Sequence, residues 1–326
     1  MKEINFADIF PKDWYQNPEE SSFLLRIYTI VPVTIKQLEK KFSPLKKPFI
    51  EDGIPIWIEG ASINAKGLNS FENNFIYSDP ETGTIILPTV VGTKELPLST
   101  YLIMGCPLKI DGKELGEDKT VSRLNRVEAL PATYLGSNTV YKLVFEAFYP
   151  ALGNEYQVVS DVYARIQQCD GPWMAEYNWR CVEDTFLQIE SITNSDKKAR
   201  IKRALEFFHS GKSARDIGRD EKFFFYWTAI TVLCEGKGTA DINARLQAIY
   251  GFSFKEVEEK LRWKDILKAR NLFFKQGKSI HLHKDAERYL QLLFLDLLRH
   301  EIDLPQIKAA LSQINKLDLD VLASKE

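Results

Sequence analysis

Residues 223–234 have the sequence FFFYWTAITVLC, which is apolar nearly all the way round a helix. A helix of this kind is buried on every side, whereas a surface helix carries only one apolar stripe. Asp220 precedes the run and is a suitable cap for the start of the helix. The run therefore predicts the central helix of a helical bundle.

The residues on both sides of this run continue the helical spacing of apolar positions, from Met174 onward. Ser195 or Asp196 can cap a helix that reaches Phe208. Ser253 with Glu256 forms a capping-box pattern in front of residues 254–262, where Phe254, Val257 and Leu261 share a face.

The last part of the chain repeats this pattern after a break at Gly277. Four residues at helical spacing predict the buried stripe of a long helix: Ala286, Leu290, Leu293 and Leu297. Pro305 is placed to begin a final helix with Ile307, Leu311 and Ile314 facing inward. Residues 171–326 are thus predicted to form an all-α, antiparallel bundle with short connections.

Proline usage separates this part from the first one. Thirteen of the 14 prolines lie between Pro11 and Pro172, and only Pro305 lies beyond. Because proline breaks helices and is tolerated in turns and at strand edges, residues 1–170 are predicted to be β-rich, as a sandwich or open barrel. The best strand candidates are residues 23–33, 84–91, 139–149 and 156–166, with one helix at 35–42. The predicted fold class is α+β.

Composition limits the classes of function. A chain of 326 residues with 44% hydrophobic residues can fill two cores, and a net charge of -2 excludes a protein that is basic throughout. Cys106, Cys169, Cys181 and Cys234 have no CxxC spacing, so we expect reduced, buried thiols and no zinc site. No run is long enough for a membrane span, and we expect a soluble, cytoplasmic protein without metal or cofactor.

Positive charge is concentrated in residues 264–284, KDILKARNLFFKQGKSIHLHK. This segment has a single acid, Asp265, and also contains His281 and His283. Its basic residues are Lys264, Lys268, Arg270, Lys275, Lys278 and Lys284. A local patch of this kind attracts phosphate groups even when the whole chain is slightly acidic.

The sequences ALEFFHSGK, FFFYWTAITVLCEG and LKARNLFFKQGK, followed by a leucine-rich helix, resemble the HEPN-type bundles of ApeA-like and methylamine-utilization MauJ-like bacterial proteins. The resemblance covers the chain from Ala204 onward. In catalytic members of that family, an Arg, a following polar residue and a His after a short gap form a metal-independent RNase site across a dimer interface. The resemblance therefore implies a homodimer, with Arg270 and Asn271 at the site.

One departure from that pattern affects the chemistry. Lys275 stands where the His is expected. Cleavage of RNA without a metal needs a group that takes the proton of the 2'-hydroxyl, and His is suited to this near neutral pH. An active site would have to recruit His281 or His283 from beyond Gly277.

Three functions remain open at this point. The favoured one is a non-catalytic HEPN-like module that binds RNA or a protein partner through Lys268, Lys275, Lys278 and Lys284. The alternatives are a metal-independent endoribonuclease of a defence or toxin system, and an adaptor without a nucleic-acid role. Arg270 and Asn271 could also be ordinary helix-end residues, and the basic run Lys197, Lys198, Arg200, Lys202 and Arg203 could be a solvated helix face.

Overall fold

The structure is a computed structural model. It describes residues 22–29, 49–63, 77–79, 84–86, 99–110, 112–134, 142–150, 157–158, 165–166, 176–213, 219–236, 238–280, 282 and 284–314. The chain divides into two compact units, Met1–Phe186 and Leu187–Glu326. The boundary predicted after residue 170 and the helix predicted at 35–42 lie outside the described residues.

Unit 1 contains eleven described strands. They are β1 (Ser22–Thr29), β2 (Phe49–Glu51), β3 (Ile54–Ile63), β4 (Tyr77–Asp79), β5 (Thr84–Ile86), β6 (Ser99–Pro107), β7 (Lys109–Ile110), β8 (Lys113–Glu114), β9 (Lys142–Pro150), β10 (Gln157–Val158) and β11 (Arg165–Ile166). The predictions at 23–33, 84–91 and 139–149 correspond to β1, β5 and β9. The prediction at 156–166 corresponds only to the short strands β10 and β11, and the residues between them are not described.

Seven of these strands form one antiparallel sheet in the order β10-β9-β1-β6-β3-β2, with β11 also paired to β9. Its centre is the pair of β1 and β6, where Leu24 lies opposite Cys106. Both of these side chains are fully buried. The pairs β4-β5 and β7-β8 are separate two-stranded units.

Helix α1 (Glu117–Tyr134) packs against this sheet. Arg26 of β1 donates hydrogen bonds from Nη1 to Asn125 Oδ1 at 2.7 Å and to Glu128 Oε2 at 3.1 Å, both on α1. Arg126 of α1 is bound to the Glu51 carboxylate of β2 by two hydrogen bonds of 2.6 and 3.0 Å. Buried ion pairs therefore join the helix to the sheet.

The predicted β-rich sandwich or open barrel is wrong. The described part of the chain is mostly helical, and the large described sheet packs against a helix where a sandwich would have a second sheet. Proline content misled the prediction, because Pro131 lies inside α1, close to its end. Thr120, Leu124, Val127 and Leu130 are buried and recur at helical spacing, so the periodicity of this segment was the better guide.

The remaining helices are α2 (Glu176–Ser191), α3 (Ser195–Ser213), α4 (Arg219–Leu233), α5 (Thr239–Tyr250), α6 (Phe254–Lys260), α7 (Trp263–Gln276), α8 (Lys284–Glu301) and α9 (Leu311–Ile314). The division between the units falls inside α2, and the helices after it belong to unit 2. No described helix has both the length and the apolar character needed to cross a membrane.

The centre of unit 2 is formed by α4, which packs against α3 and α8. Phe223, Tyr226, Ile230 and Leu233 are buried on α4, and Phe208 of α3 stacks on Phe294 of α8 with ring centroids 4.3 Å apart. The leucine stripe predicted for α8 is confirmed, since all four of its residues are buried: Ala286, Leu290, Leu293 and Leu297. The run 223–234 is a helix as predicted, but Phe224 on it is 38% exposed.

Helix ends explain where the sequence-based boundaries hold. The capping box of Ser253 and Glu256 at the start of α6 is confirmed. Gly277 ends α7 in the left-handed conformation with φ 63°, and its N–H and that of Lys278 return to the carbonyls of Phe273 and Leu272. At α3 the cap is Asn194, whose Oδ1 accepts the Lys197 N–H at 2.9 Å, and not Ser195 or Asp196.

The predicted helix from Pro305 is wrong, because α9 begins only at Leu311. The fully buried carboxylate of Asp296 accepts hydrogen bonds from the backbone N–H groups of Ala309 and Ala310 and from Tyr250 Oη. Burial raises the pKa of Asp296. Hydrogen bonds to the buried Asp296 side chain thus hold the segment before α9, which is not helical.

The described cysteines are free and buried, as predicted: Cys106, Cys181 and Cys234. Burial raises the pKa of the Cys106 and Cys234 thiols to about 12. Cys169 is outside the described residues.

Candidate functional site

Arg270 and Asn271 lie in the interior of α7, six and five residues before its last residue, Gln276. The interpretation of the pair as ordinary helix-end residues is therefore wrong. Helix α7 starts at Trp263, directly after Arg262 in the left-handed conformation with φ 52°. Its buried face is formed by Trp263, Ile266 and Ala269.

The Arg270 side chain is half-buried and has a defined position. Its Nη1 donates a hydrogen bond to Asn271 Oδ1 at 2.9 Å, and its guanidinium carbon lies 5.9 Å from the centre of the Trp227 ring on α4. Trp227 in turn stacks on Trp263 at 5.9 Å. Both tryptophans are buried, and Trp227 also supports the guanidinium.

Arg270 has hydrogen-bonding capacity that the described residues do not use. Its Nε is buried and has no hydrogen-bond partner there, and the side chain forms no ion pair with any described carboxylate. A guanidinium has five N–H donors in a planar fork that matches two oxygens of a phosphate. Because Nε is shielded from solvent, an anion from solution would be held by the Nη groups of Arg270.

Three lysines of α7 lie on one exposed strip of the helix. Because successive residues are rotated by about 100°, Lys264, Lys268 and Lys275 fall within an arc of about 40°, opposite the buried face. We call these three residues the lysine face. Asn271 borders it, and Phe274 and then Arg270 follow round the helix. Lys278 is exposed just beyond the end of α7.

The lysine face carries positive charge that the described part of the protein does not neutralise. Lys264, Lys268, Lys275 and Lys278 form no ion pair with a described residue. The acid of the same helix, Asp265, is held by Arg262 Nε at 2.6 Å.

The basic run on α3 differs from the lysine face because its charges are paired. Each of its five members is in an ion pair with a carboxylate: Lys197, Lys198, Arg200, Lys202 and Arg203. Arg200 binds Glu235 at 2.8 Å and Glu301 at 2.9 Å, and Arg245 binds the same two acids. This run is an intramolecular ionic network, which leaves little charge for a partner.

The two histidines considered as proton acceptors, His281 and His283, lie outside the described residues, and so does the side chain of Lys284. His209 is buried in α3, and His300 lies at the end of α8. No described histidine contacts Arg270. Among the residues that the structure describes, no group of three or more His, Cys, Asp or Glu side chains could hold a metal ion.

Sequence reasoning missed one feature near the lysine face, an exposed pair of phenylalanines. Phe224 of α4 and Phe274 of α7 are 38% and 43% exposed, and their ring centroids are 6.0 Å apart. Phe224 was predicted to be buried with the rest of the apolar run 223–234, and Phe274 was given no role. A signal was present in the sequence, because Phe274 is flanked by Lys275 and lies three residues after Asn271.

The resemblance to HEPN-type bundles and the expected RNA partner remain predictions. Comparison of the chain with known proteins finds no matching family model, no matching curated protein and no matching solved structure.

Proposed function

We propose that this protein binds RNA, without cutting it, through the lysine face and Arg270. The observation that carries the proposal is the contrast between two basic helices. The basic residues of the α3 run are all in ion pairs, while the α7 lysines are exposed and form no ion pair with a described carboxylate. When a lysine without an ion-pair partner neutralises a phosphate, counterions condensed on the nucleic acid are released, and this release drives binding.

Arg270 adds a second element to the proposal. Trp227 and Asn271 hold its guanidinium, so little side-chain entropy is lost when a phosphate binds. Arginine binds a phosphate through two hydrogen bonds, whereas lysine acts as a point charge. Arg270 lies about 120–160° round α7 from the lysine face, on the far side of Phe274. We therefore expect Arg270 to hold one phosphate where the strand crosses Phe274, and the lysine face to hold phosphates further along the strand.

The absence of cleavage is proposed on chemical grounds. Phosphodiester cleavage without a metal needs a proton acceptor beside the anion site. Among the described residues, the groups that contact Arg270 are an amide and an indole ring, and neither takes a proton near neutral pH. Binding with charge stabilisation alone is the chemistry that this arrangement supports.

The test is fluorescence anisotropy with a labelled single-stranded RNA at several salt concentrations in the presence of EDTA. The variant Lys264→Ala/Lys268→Ala/Lys275→Ala should bind about tenfold more weakly, and the slope of log Kd against log salt should fall by about 2, or about 0.7 for each lost phosphate contact. The control is Lys255→Ala, an exposed lysine paired with Glu259 at 3.8 Å on α6, which should bind like the wild type.

Two outcomes would contradict the proposal. Wild-type protein that shows no salt-dependent RNA binding would leave the adaptor role instead. Shortening of the RNA in EDTA, abolished by Arg270→Ala, would identify an endoribonuclease and overturn the non-cleaving part.

A further inference from the structure

The phenylalanine pair of Phe224 and Phe274 is exposed, although the two helices that carry it bury four other aromatic residues: Phe223, Tyr226, Trp227 and Trp263. The two rings approach to 6.0 Å with an angle of 40° between their planes. Single exposed apolar residues are common on protein surfaces, but a pair of large rings contributed by different elements marks a contact site more often.

Other aromatic rings hold the pair from below. Phe273 meets Phe274 edge-on at 4.9 Å, and Phe225 meets Phe224 edge-on at 5.4 Å. Phe273 is itself packed against the fully buried Phe223 at 6.1 Å. These contacts restrict the orientation of the exposed rings, so a ligand that stacks on them orders less side-chain freedom.

Positive charge borders the phenylalanine pair. Phe274 lies between Asn271, at the edge of the lysine face, and Arg270 on the circumference of α7. Lys275 is the next residue, and Lys278 follows directly after the helix ends at Gly277. The ligand that complements this surface has flat apolar groups together with a line of negative charges.

A second copy of the chain is a poor complement. A twofold contact through the phenylalanine pair would bring one lysine face close to the other, and like charges at an interface are unfavourable. An unpaired nucleic-acid strand has both required properties, since its bases expose their faces and its backbone carries a phosphate at each step.

We infer that Phe224 and Phe274 form a stacking platform for unpaired bases, and that the RNA bound by this protein is single-stranded. This inference rests on the proposed function, in which the lysine face and Arg270 hold the phosphates. Bases inside a duplex stack on each other and have no free face to place on the rings. The surface thus selects single-stranded over double-stranded RNA.

The experiment compares Phe224→Leu, Phe274→Leu and the double variant with wild type on two ligands. One is a single-stranded RNA carrying 2-aminopurine, and the other is the same sequence as a duplex. Each substitution should weaken single-strand binding about tenfold, remove part of the 2-aminopurine quenching and leave duplex binding unchanged. The salt slope should stay the same, because no phosphate contact is lost.

Two control variants guard against indirect effects. Phe254→Leu removes another exposed ring, 50% exposed on the acidic helix α6, and should have no effect on binding. Phe274→Tyr keeps the ring face and should retain single-strand affinity. Unchanged duplex binding by Phe274→Leu would show that this variant is folded, so that its weaker single-strand binding reports the lost ring.

The results separate the inference from the function beneath it. If the wild-type protein binds neither RNA, the proposed function is contradicted. Salt-dependent RNA binding that the leucine variants do not weaken would overturn the stacking platform alone. So would a dimer in light scattering that the leucine variants dissociate without a change in RNA affinity, because the rings would then be an interface between copies.

Discussion

At the scale of single residues, Gly211 shows how little space separates α3 and α4. A Cβ atom placed on Gly211 would lie 2.9 Å from Cε1 and 3.0 Å from Cδ1 of Tyr226. The Tyr226 ring is fully buried, and its hydroxyl donates to Glu287 Oε1 at 2.8 Å and accepts from Gln291 Nε2 at 3.0 Å. The ring has little room to move away.

We therefore expect Gly211→Ala to destabilise the protein by about 1–3 kcal/mol, as overpacking does, although alanine favours helix by about 1 kcal/mol over glycine. Urea denaturation measures the difference. In a Tyr226→Leu background the penalty should shrink, since the opposing ring is gone. A Gly211→Ala protein more stable than wild type would show that the helices are not in close contact at this point.

Only some of the residues at the candidate site could be identified from the sequence. The sequence identified Arg270, Asn271 and the lysines, because local charge is visible in a linear segment. It did not reveal how far the α3 lysines and arginines are paired, since Lys197 and Arg200 bind acids that are distant in sequence: Glu235, Glu301 and Asp303. Pairing across the fold decides which cations can bind a phosphate.

At the scale of elements, α6 depends on its capping box. Lys260 and the backbone and hydroxyl of Ser253 donate hydrogen bonds to the Glu256 carboxylate, with Lys260 first in effect, and lower the pKa of Glu256 from 4.5 to about 2. A carboxyl group with a lowered folded-state pKa stabilises the fold above its unfolded pKa. That contribution is lost as the pH falls through the folded pKa.

Wild type should thus be more stable than Glu256→Gln at neutral pH, and the difference should disappear on acidification between pH 4.5 and about 2. Denaturant titrations monitored by circular dichroism at several pH values provide the measurement. Glu258→Gln, on the same helix but outside the box, serves as control. An equal pH dependence in both variants would argue against the cap.

Element prediction succeeded where periodicity and caps agreed and failed where composition was used instead. Helices α4, α6 and α8 follow their apolar spacing. Helix α1 was missed because Pro131 was weighted above the periodic positions around it. Strands β3 and β6 were also missed, because their runs IPIWIEGASI and STYLIMGCP contain glycine and proline, although β6 pairs with both β1 and β3 within the sheet.

At the scale of the whole molecule, both units combine an apolar core with buried charges. Unit 2 buries the carboxylate of Asp296 among aromatic residues and leucines, and unit 1 has buried ion pairs at the contact between α1 and the sheet. Arg26 and Glu128 are each 1% exposed, and Glu51 is 2% exposed. Loss of either partner of such an ion pair destabilises the fold, because the remaining charge is buried away from water without a partner.

Arg126→Ala should consequently destabilise the protein by about 3–5 kcal/mol, since it removes a partner of the buried Glu51 carboxylate. Arg203→Ala is the matched control, because the Arg203 side chain is 61% exposed in its pair with Glu206 and such pairs contribute about 0–1 kcal/mol. Denaturation midpoints compare the two. Similar midpoints for both variants would mean that water reaches the Glu51 site.

The buried carboxylate of Asp296 has a consequence for how unit 2 is completed. Two of its hydrogen-bond donors, the N–H groups of Ala309 and Ala310, follow it in the chain by 13 and 14 residues. The ribosome synthesises these residues only after α8 is finished. The Asp296 carboxylate therefore lacks two hydrogen-bond donors while the earlier helices are already free to associate. We therefore expect the packing of unit 2 around α8 to be completed only after residues 309 and 310 have been synthesised.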